Sequence, residues 1–441
     1  MARSDAAARP PGPHAAALYL ELLRHRDPTA TLDRLSREYP RLARLRLGTT
    51  RVYLLTHPAL ITELLVTHGR ATHKGRLQEK IRIVLGDGLL TSEGAHHAQQ
   101  RRLIQPALQR ERLESYLPLM VAAAEQHSRQ WHDGQRVELA AQMSALTLSV
   151  VGQALFGSRL AEHRAELAGA LATLLSRPGR HLLPGADLLL ALPTPGNRRM
   201  LRAADRLDRL VWRLVEQRRA HPGEDLLSTL ATLMPAQQAR DEAMTLLLAG
   251  HETTATALSW AWWLLDRDPA VARWWREEVD CYTGEPDPDQ LPRCRAVLAE
   301  ALRLYPPSWL LGRRLTRPVR LDGWHLPTGA LCAASQWATH RDPRFWQEPR
   351  EFRPQRWLTA GPPERFDESA PGAPRGAYFP FGMGARACVG RAFAWAEGTL
   401  LLATIGRRWA PTIVAADRVV PLPSITLRPR HGLPAILRRQ R

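Results

Sequence analysis

The stretch Phe379-Pro-Phe-Gly-Met-Gly-Ala-Arg-Ala-Cys388-Val-Gly-Arg-Ala-Phe-Ala394 places a cysteine in a glycine-rich loop directly ahead of a helix. Thiolate is the form of cysteine that binds metal, and the free N–H groups and dipole at a helix N-terminus help to lower the thiol pKa. Gly384 and Gly390 allow backbone conformations and close approaches that a Cβ would block. Phe381 can cover the sulfur and keep water from it. Arg386, two residues before the cysteine, can meet an anionic group of a flat cofactor. The bland alternative is a buried, inert cysteine acting as a small apolar side chain, which is what Cys281, Cys294 and Cys332 are expected to be.

Upstream, Pro235 to Asp266 has no internal proline and a single glycine, Gly250, which predicts one long helix. Its middle reads Ala249-Gly-His-Glu-Thr-Thr254. Glycine and adjacent hydroxyls weaken a helix interior, so they call for a reason. The absent side chain at Gly250 makes room for a ligand, and Glu252 and Thr253 offer a carboxylate and a hydroxyl beside it. A zinc H-E-x-x-H site fails because residue 255 is alanine. Alone, Thr253 would read as a hydroxyl satisfied by its own helix. Further on, Glu300-Ala-Leu-Arg303 is followed by Leu304-Tyr-Pro-Pro307. A Glu/Arg pair at this spacing on a helix is ordinarily a surface contact worth under ~1 kcal/mol.

Phe381, Gly384, Arg386, Cys388 and Gly390 fit F-x-x-G-x-R-x-C-x-G without a gap. With the A-G-H-E-T-T and E-x-x-R segments, the chain resembles the cytochrome P-450 superfamily from about residue 40 onward, most strongly over 241–400. The resemblance implies a mainly α protein, a single large cytochrome P-450 fold with small peripheral β-sheets. It implies heme b (iron protoporphyrin IX) with Cys388 on the iron, and hydroxylation of a hydrophobic substrate with O2 and two electrons. Ala249 and Gly250 would border the oxygen groove, Thr253 would hydrogen-bond dioxygen and Glu252 would help deliver protons. The heme propionates need cations or donors, and the family pattern offers His97, Arg101, Arg313, His340 and Arg386. Glu300 and Arg303, joined by Arg356 of Phe352-Arg-Pro-Gln-Arg356, would form a structural network outside the chemistry.

For the substrate, the resemblance points to Trp309, Leu310 and Leu311 after the Pro-Pro turn, and to apolar stretches at Ile81–Leu90 and Leu182–Leu192. Glu300 to Arg314, Tyr378-Phe-Pro-Phe-Gly382, Glu397-Gly398 and Thr426 to Pro434 look like bacterial carotenoid hydroxylases, which act on β-carotene-type rings. Fatty-acid or terpenoid hydroxylation is the alternative. A non-catalytic heme sensor would keep Cys388 without needing Glu252 and Thr253. No flavin or iron–sulfur sequence follows the last helix, so electrons are expected from a separate ferredoxin and its reductase. Arg101, Arg102, Arg375 and Arg391 on the cysteine side would meet that acidic partner.

Composition agrees with one soluble enzyme domain. The 441 residues are 44% hydrophobic and 24% charged, unlike disordered, collagen-like or membrane-spanning chains. The formal charge of +18 would suit a polyanionic partner, yet only Lys74 and Lys80 are lysines and the arginines are spread along the chain. No arginine block or stacking platform for nucleic acid is present. The cysteines form no C-x-x-C pair, so neither a disulfide framework nor a zinc knuckle is indicated. The apolar run Ala15 to Leu23 is too short and too polar to span a bilayer, and a cytoplasmic protein is expected. The basic face could assist transient contact with an anionic membrane surface. Residues 1–16 are expected to form a loose arm and 17–441 a single heme domain. A hairpin is expected over 42–55, helices over about 58–305 and strands over 315–335. A proline-rich coil should cover 343–380, followed by a last helix over about 390–408 and a short strand pair near the C-terminus.

Overall fold

The computed structural model describes residues 9–25, 27–48, 50–157, 194–361, 363–369 and 372–440, together with 167, 169, 170 and 173. Helices dominate, as alanine-, leucine- and arginine-rich sequence favours. Among the described residues they are α1 (Ala15–His25), α2 (Pro28–Glu38), α3 (Pro58–Thr62), α4 (Arg76–Leu85), α5 (Gly94–Ile104), α6 (Arg110–Glu114), α7 (Leu117–Ser128) and α8 (Leu139–Phe156). They continue with α9 (Pro195–Ala220), α10 (Leu226–Leu233), α11 (Ala236–Arg267), α12 (Pro269–Cys281), α13 (Pro292–Leu304), α14 (Gln336–Thr339) and α15 (Arg391–Gly406).

The expected long helix is α11. It ends where Asp268 accepts from the N–H groups of Ala270 and Val271 and so caps α12, whose first residue is Pro269. Residues on every face of its second half are buried, including Trp260, Trp262 and Trp263. Such all-round burial marks a core helix. Trp260 stacks on Tyr305 with ring centres 4.2 Å apart, and its indole N–H reaches the Leu427 carbonyl at 2.7 Å. α8 packs along α11. It is long and apolar enough to cross a membrane, but it is mostly buried inside the protein.

The strands are β1 (Leu42–Leu47), β2 (Thr50–Leu55), β3 (Thr72–Lys74), β4 (Arg136–Glu138), β5 (Leu311–Leu315), β6 (Val319–Leu321), β7 (Trp324–Leu326), β8 (Leu331–Ala334), β9 (Trp409–Ile413), β10 (Pro421–Pro423), β11 (Leu427–Pro429) and β12 (Pro434–Arg439). β1 and β2 form the expected hairpin, with Leu47 opposite Thr50. They belong to a five-stranded sheet of order β1-β2-β8-β5-β3, in which only β2 and β8 run parallel. The register sets Lys74 of β3 opposite Arg313 of β5. At the C-terminus the expected pair proves to be four strands in two sheets, with β12 between β4 and β9, and β10 beside β11. Prolines at 411, 421, 423, 429 and 434 interrupt the alternation by which such short strands would have been recognised.

Of the loose arm expected over residues 1–16, the described part is tied down from residue 10. Pro10 is buried, the Pro11 carbonyl accepts the Arg44 N–H at 2.7 Å, and α1 begins at Ala15. The apolar stretch Leu182–Leu192 lies outside the described residues.

Candidate active site

Cys388 lies three residues before α15. Its N–H donates to the Phe381 carbonyl at 2.8 Å, closing the loop into a tight hairpin-like turn. Gly384 has φ +71°, and a Cβ there would fall 2.3 Å from the Leu65 carbonyl oxygen, so glycine is required twice over. Gly390 differs from expectation: its φ is −86° and a Cβ would meet no protein atom within 4 Å. Nothing in the fold itself demands that glycine. The Cys388 side chain is exposed, although the surrounding protein desolvates it enough to raise its thiol pKa. The Gly390 N–H and the charges of Arg101 and Arg391 work the other way. Arg101 of α5 also donates to the Ala387 carbonyl at 2.8 Å, anchoring the residue next to the cysteine. The Phe381 ring rests against Trp395.

α15 packs on α11, with Glu397 beside Thr254, which joins the cysteine loop to the Ala249–Thr254 segment. Ala249 is exposed in the middle of this otherwise enclosed helix. The missing side chain of its neighbour Gly250 faces α8. A Cβ there would lie 3.1 Å from Val151 Cγ2, so the glycine serves the close approach of α8. Thr253 Oγ1 donates to the Ala249 carbonyl at 2.8 Å, and Glu252 Oε1 accepts from Thr426 Oγ1 at 2.9 Å. Burial raises the Glu252 pKa, with Thr426 and Arg428 opposing.

A second group gathers where β3, β5 and α5 meet the loop of Arg386. Arg386 pairs with Glu93 at 2.5 Å and donates to the Gly69 carbonyl at 2.9 Å. Lys74 is buried and donates through Nζ to the carbonyls of Leu89 and Ser92 at 2.7 and 2.6 Å. Arg313 is buried and has no ion pair among the described residues; its Nη1 donates to the adjacent Gly312 carbonyl at 2.9 Å. Burial brings Arg313 down to about 10 and Lys74 to about 8. Burial, followed by the charges of Lys74, Arg386 and Arg101, brings His97 down to about 4. Of Lys74, Arg313 and Arg386, only Arg386 has an ion pair among the described residues, with Glu93. Lys74 escaped the sequence reading, though its rarity in a chain otherwise rich in arginine was a signal.

The cytochrome P-450 family model matches residues 9–425. The chain belongs to the cytochrome P-450 family. Such proteins are heme-iron monooxygenases, and its cofactor is heme b. This P-450 is 37% identical to cyclooctatin synthase of Streptomyces melanosporofaciens over 88% of its own length and 85% of the relative's. It is 33% identical to cyclooctat-9-en-7-ol 5-monooxygenase of the same organism, over 88% and 84% of the two chains. It is 32% identical to pentalenene oxygenase of Streptomyces avermitilis, over 88% and 87%. Among solved structures, a cytochrome P-450 heme domain superposes with a TM-score of 0.85 at 27% identity, covering 98% of both chains. A cyanobacterial P-450 with retinoic acid bound does so with a TM-score of 0.81 at 25% identity, covering 92% and 93%.

The residues of this P-450 fit the heme. A buried guanidinium with no ion pair among the described residues, beside Lys74 and Arg386, suits a dianionic ligand. The Gly390 side that no protein atom fills and the accessible Cys388 sulfur suit its flat ring and its iron.

Other expected residues fall elsewhere. His340 is fully buried, accepts the Phe379 N–H at 3.0 Å and gives its carbonyl to Arg303, so it belongs to the structural network instead of a propionate. Burial holds its ring neutral, down to about 3. In that network Glu300 accepts from Arg303 Nε and Nη2 at 2.8 and 2.7 Å, Arg356 Nε at 3.1 Å, the Arg353 N–H at 3.1 Å and Trp357 Nε1 at 2.8 Å. Trp309 is core: it is buried, and its indole N–H reaches the Ser424 carbonyl at 2.9 Å. Leu310 and Leu311 are half-buried. Cys294 and Cys332 are buried as expected, but Cys281, at the end of α12, is exposed.

Proposed function

We propose that this P-450 hydroxylates a terpenoid, using O2 and electrons from a separate ferredoxin. The observation that carries the substrate class is the likeness to the Streptomyces relatives named for cyclooctatin and pentalenene. The β-carotene-type and fatty-acid readings have no comparable support among them. Half-buried Ile81, Val84 and Leu90 suit an apolar substrate.

Cys388 would ligate the iron, while Arg313, Arg386 and Lys74, with His97 and Arg101 nearby, would hold the propionates. Bound in this way, heme supplies oxygen activation, favoured by its thiolate ligand. The chain's own task is to place the substrate and manage protons. Thr253 Oγ1, now turned to the Ala249 carbonyl, can rotate to present its hydroxyl in the groove. Glu252, whose burial favours the protonated carboxyl, is the nearby proton store, and Thr426 Oγ1 holds it in place. Arg102, Arg375 and Arg391 are exposed, Arg391 in an ion pair with Glu368, and would meet the ferredoxin. The proposed setting is the cytoplasm, with substrate taken from solution or a membrane surface.

Titrating the purified holoenzyme with terpene hydrocarbons and alcohols, carotenoids and fatty acids tests the substrate class. Terpenes should shift the iron to high spin. A shift produced by carotenoids or fatty acids alone would overturn the terpenoid assignment.

A further inference from the structure

The connection after α4, residues 86–92, is gripped from two sides. From α11, Asp241 Oδ2 accepts the Asp87 N–H at 2.7 Å and Glu242 Oε2 accepts the Leu89 N–H at 2.9 Å. On the opposite side, Lys74 holds the carbonyls of Leu89 and Ser92, and Gln100 Nε2 holds the Asp87 carbonyl at 2.7 Å. The loop lies so close to α11 that a Cβ at Gly88 would fall 2.4 Å from Thr245 Oγ1 and 2.5 Å from the Asp241 carbonyl. Asp241 is itself fixed by Gln237 and Arg240, both at 2.9 Å.

Glu242 is fully buried, and its Oε1 has no hydrogen-bond partner among the described residues. A buried carboxylate spent on one loop amide is expensive if packing were its only purpose. Glu242, Leu246 and Ala249 lie at i, i+4 and i+7, so they share one stripe of α11. The loop therefore spans from the stripe that carries exposed Ala249 to the cluster of Lys74, Arg313 and Arg386, the two features that border the site.

We propose that Asp241 and Glu242 are specificity-determining positioning residues that clamp residues 86–92 to α11 as a fixed wall of the substrate space. This rests on the P-450 site above but not on the terpenoid assignment. Without the clamp, Leu89 and Leu90 would move, and the space would lose its discrimination by size. Glu242→Gln keeps an acceptor for the Leu89 N–H, whereas Glu242→Met removes it at similar volume. Gly88→Ala attacks the same contact from the loop side.

The test uses heme-loaded protein, with hydrogen exchange of the 86–92 amides as the first readout. The second is the ratio of spectral dissociation constants for imidazole and 4-phenylimidazole, iron ligands of different bulk. Glu242→Met and Gly88→Ala should each speed exchange at Leu89 by about tenfold, the scale of one buried hydrogen bond. Both should change the size ratio severalfold, and Glu242→Gln should restore both. Unchanged exchange in the variants that load heme would overturn the clamp. Faster exchange with an unchanged ratio would overturn its role in specificity. A missing terpene response would leave these readouts intact and count only against the substrate class.

Discussion

Glu397 sits in the middle of α15 with no exposed surface, and the Thr254 hydroxyl is the polar neighbour of its carboxyl. Burial pushes its pKa from the ordinary 4.5 up to about 8, with only the neighbouring Thr254 hydroxyl pulling the other way. The folded protein thus keeps a proton that the unfolded chain has already lost. Stability should fall as pH rises from the unfolded value towards the folded one. One pKa unit is worth about 1.4 kcal/mol, so from about pH 5.5 to about pH 8.5 the loss is on the order of 3 kcal/mol. Glu397→Gln carries no titrating proton. Its stability relative to the native protein should therefore climb by that amount over the same interval. The assay is the difference in urea midpoints between the two heme-loaded proteins at each pH. The 14 tryptophans provide the fluorescence signal, and comparison at equal pH cancels the other titrating groups. A difference that stays constant with pH within about 1 kcal/mol would show that Glu397 is solvated or paired in solution, and the linkage argument would fail.

Three further outcomes are expected. Glu300→Ala leaves the fully buried Arg303 without its carboxylate, which should cost about 3–5 kcal/mol and release heme; a loss under about 1 kcal/mol in the denaturation midpoint would contradict the network. Thr253→Ala should divert oxygen consumption into hydrogen peroxide severalfold more than in the native enzyme, and undiminished coupling of oxygen uptake to product would remove Thr253 from proton handling. Arg102→Glu and Arg391→Glu should each slow reduction by ferredoxin about tenfold at low salt and flatten its salt dependence, whereas an unchanged rate would place the docking surface elsewhere.

What could be read from sequence was set by whether a residue's purpose is local. The cysteine loop was legible because its turn, glycine spacing and following helix lie within one short stretch. The same holds for the length of α11, which a proline-free run dictates. The partner of Gly250 was not legible: the missing Cβ faces either a ligand or another helix, and only the packing of α8 shows that Val151 takes the space. His340 and Trp309 misled for a related reason. Each side chain could serve a polar or apolar cavity, and each is claimed by a distant backbone group, at Phe379 and Ser424. Lys74 became visible only when strand pairing placed it opposite Arg313.

The same distinction applies to the charge of +18. A surplus of arginine suggests an external polyanion when counted along the chain, but several of these side chains are buried. Arg303 and Arg356 converge on Glu300, Arg240 is held between Asp208 and Asp241, and Arg313 is buried with no ion pair among the described residues. A guanidinium keeps its charge when desolvated, as the retained pKa of about 10 at Arg313 illustrates, and its planar fork serves several carbonyls or carboxylates together. Lysine at such sites loses its charge more readily; burial brings Lys74 down to about 8. At Lys74 the ammonium meets two loop carbonyls and not a planar carboxylate. The basic composition thus has an interior component that ties elements of the fold together, and a surface component whose part in docking the proposed ferredoxin the Arg102 and Arg391 variants will measure.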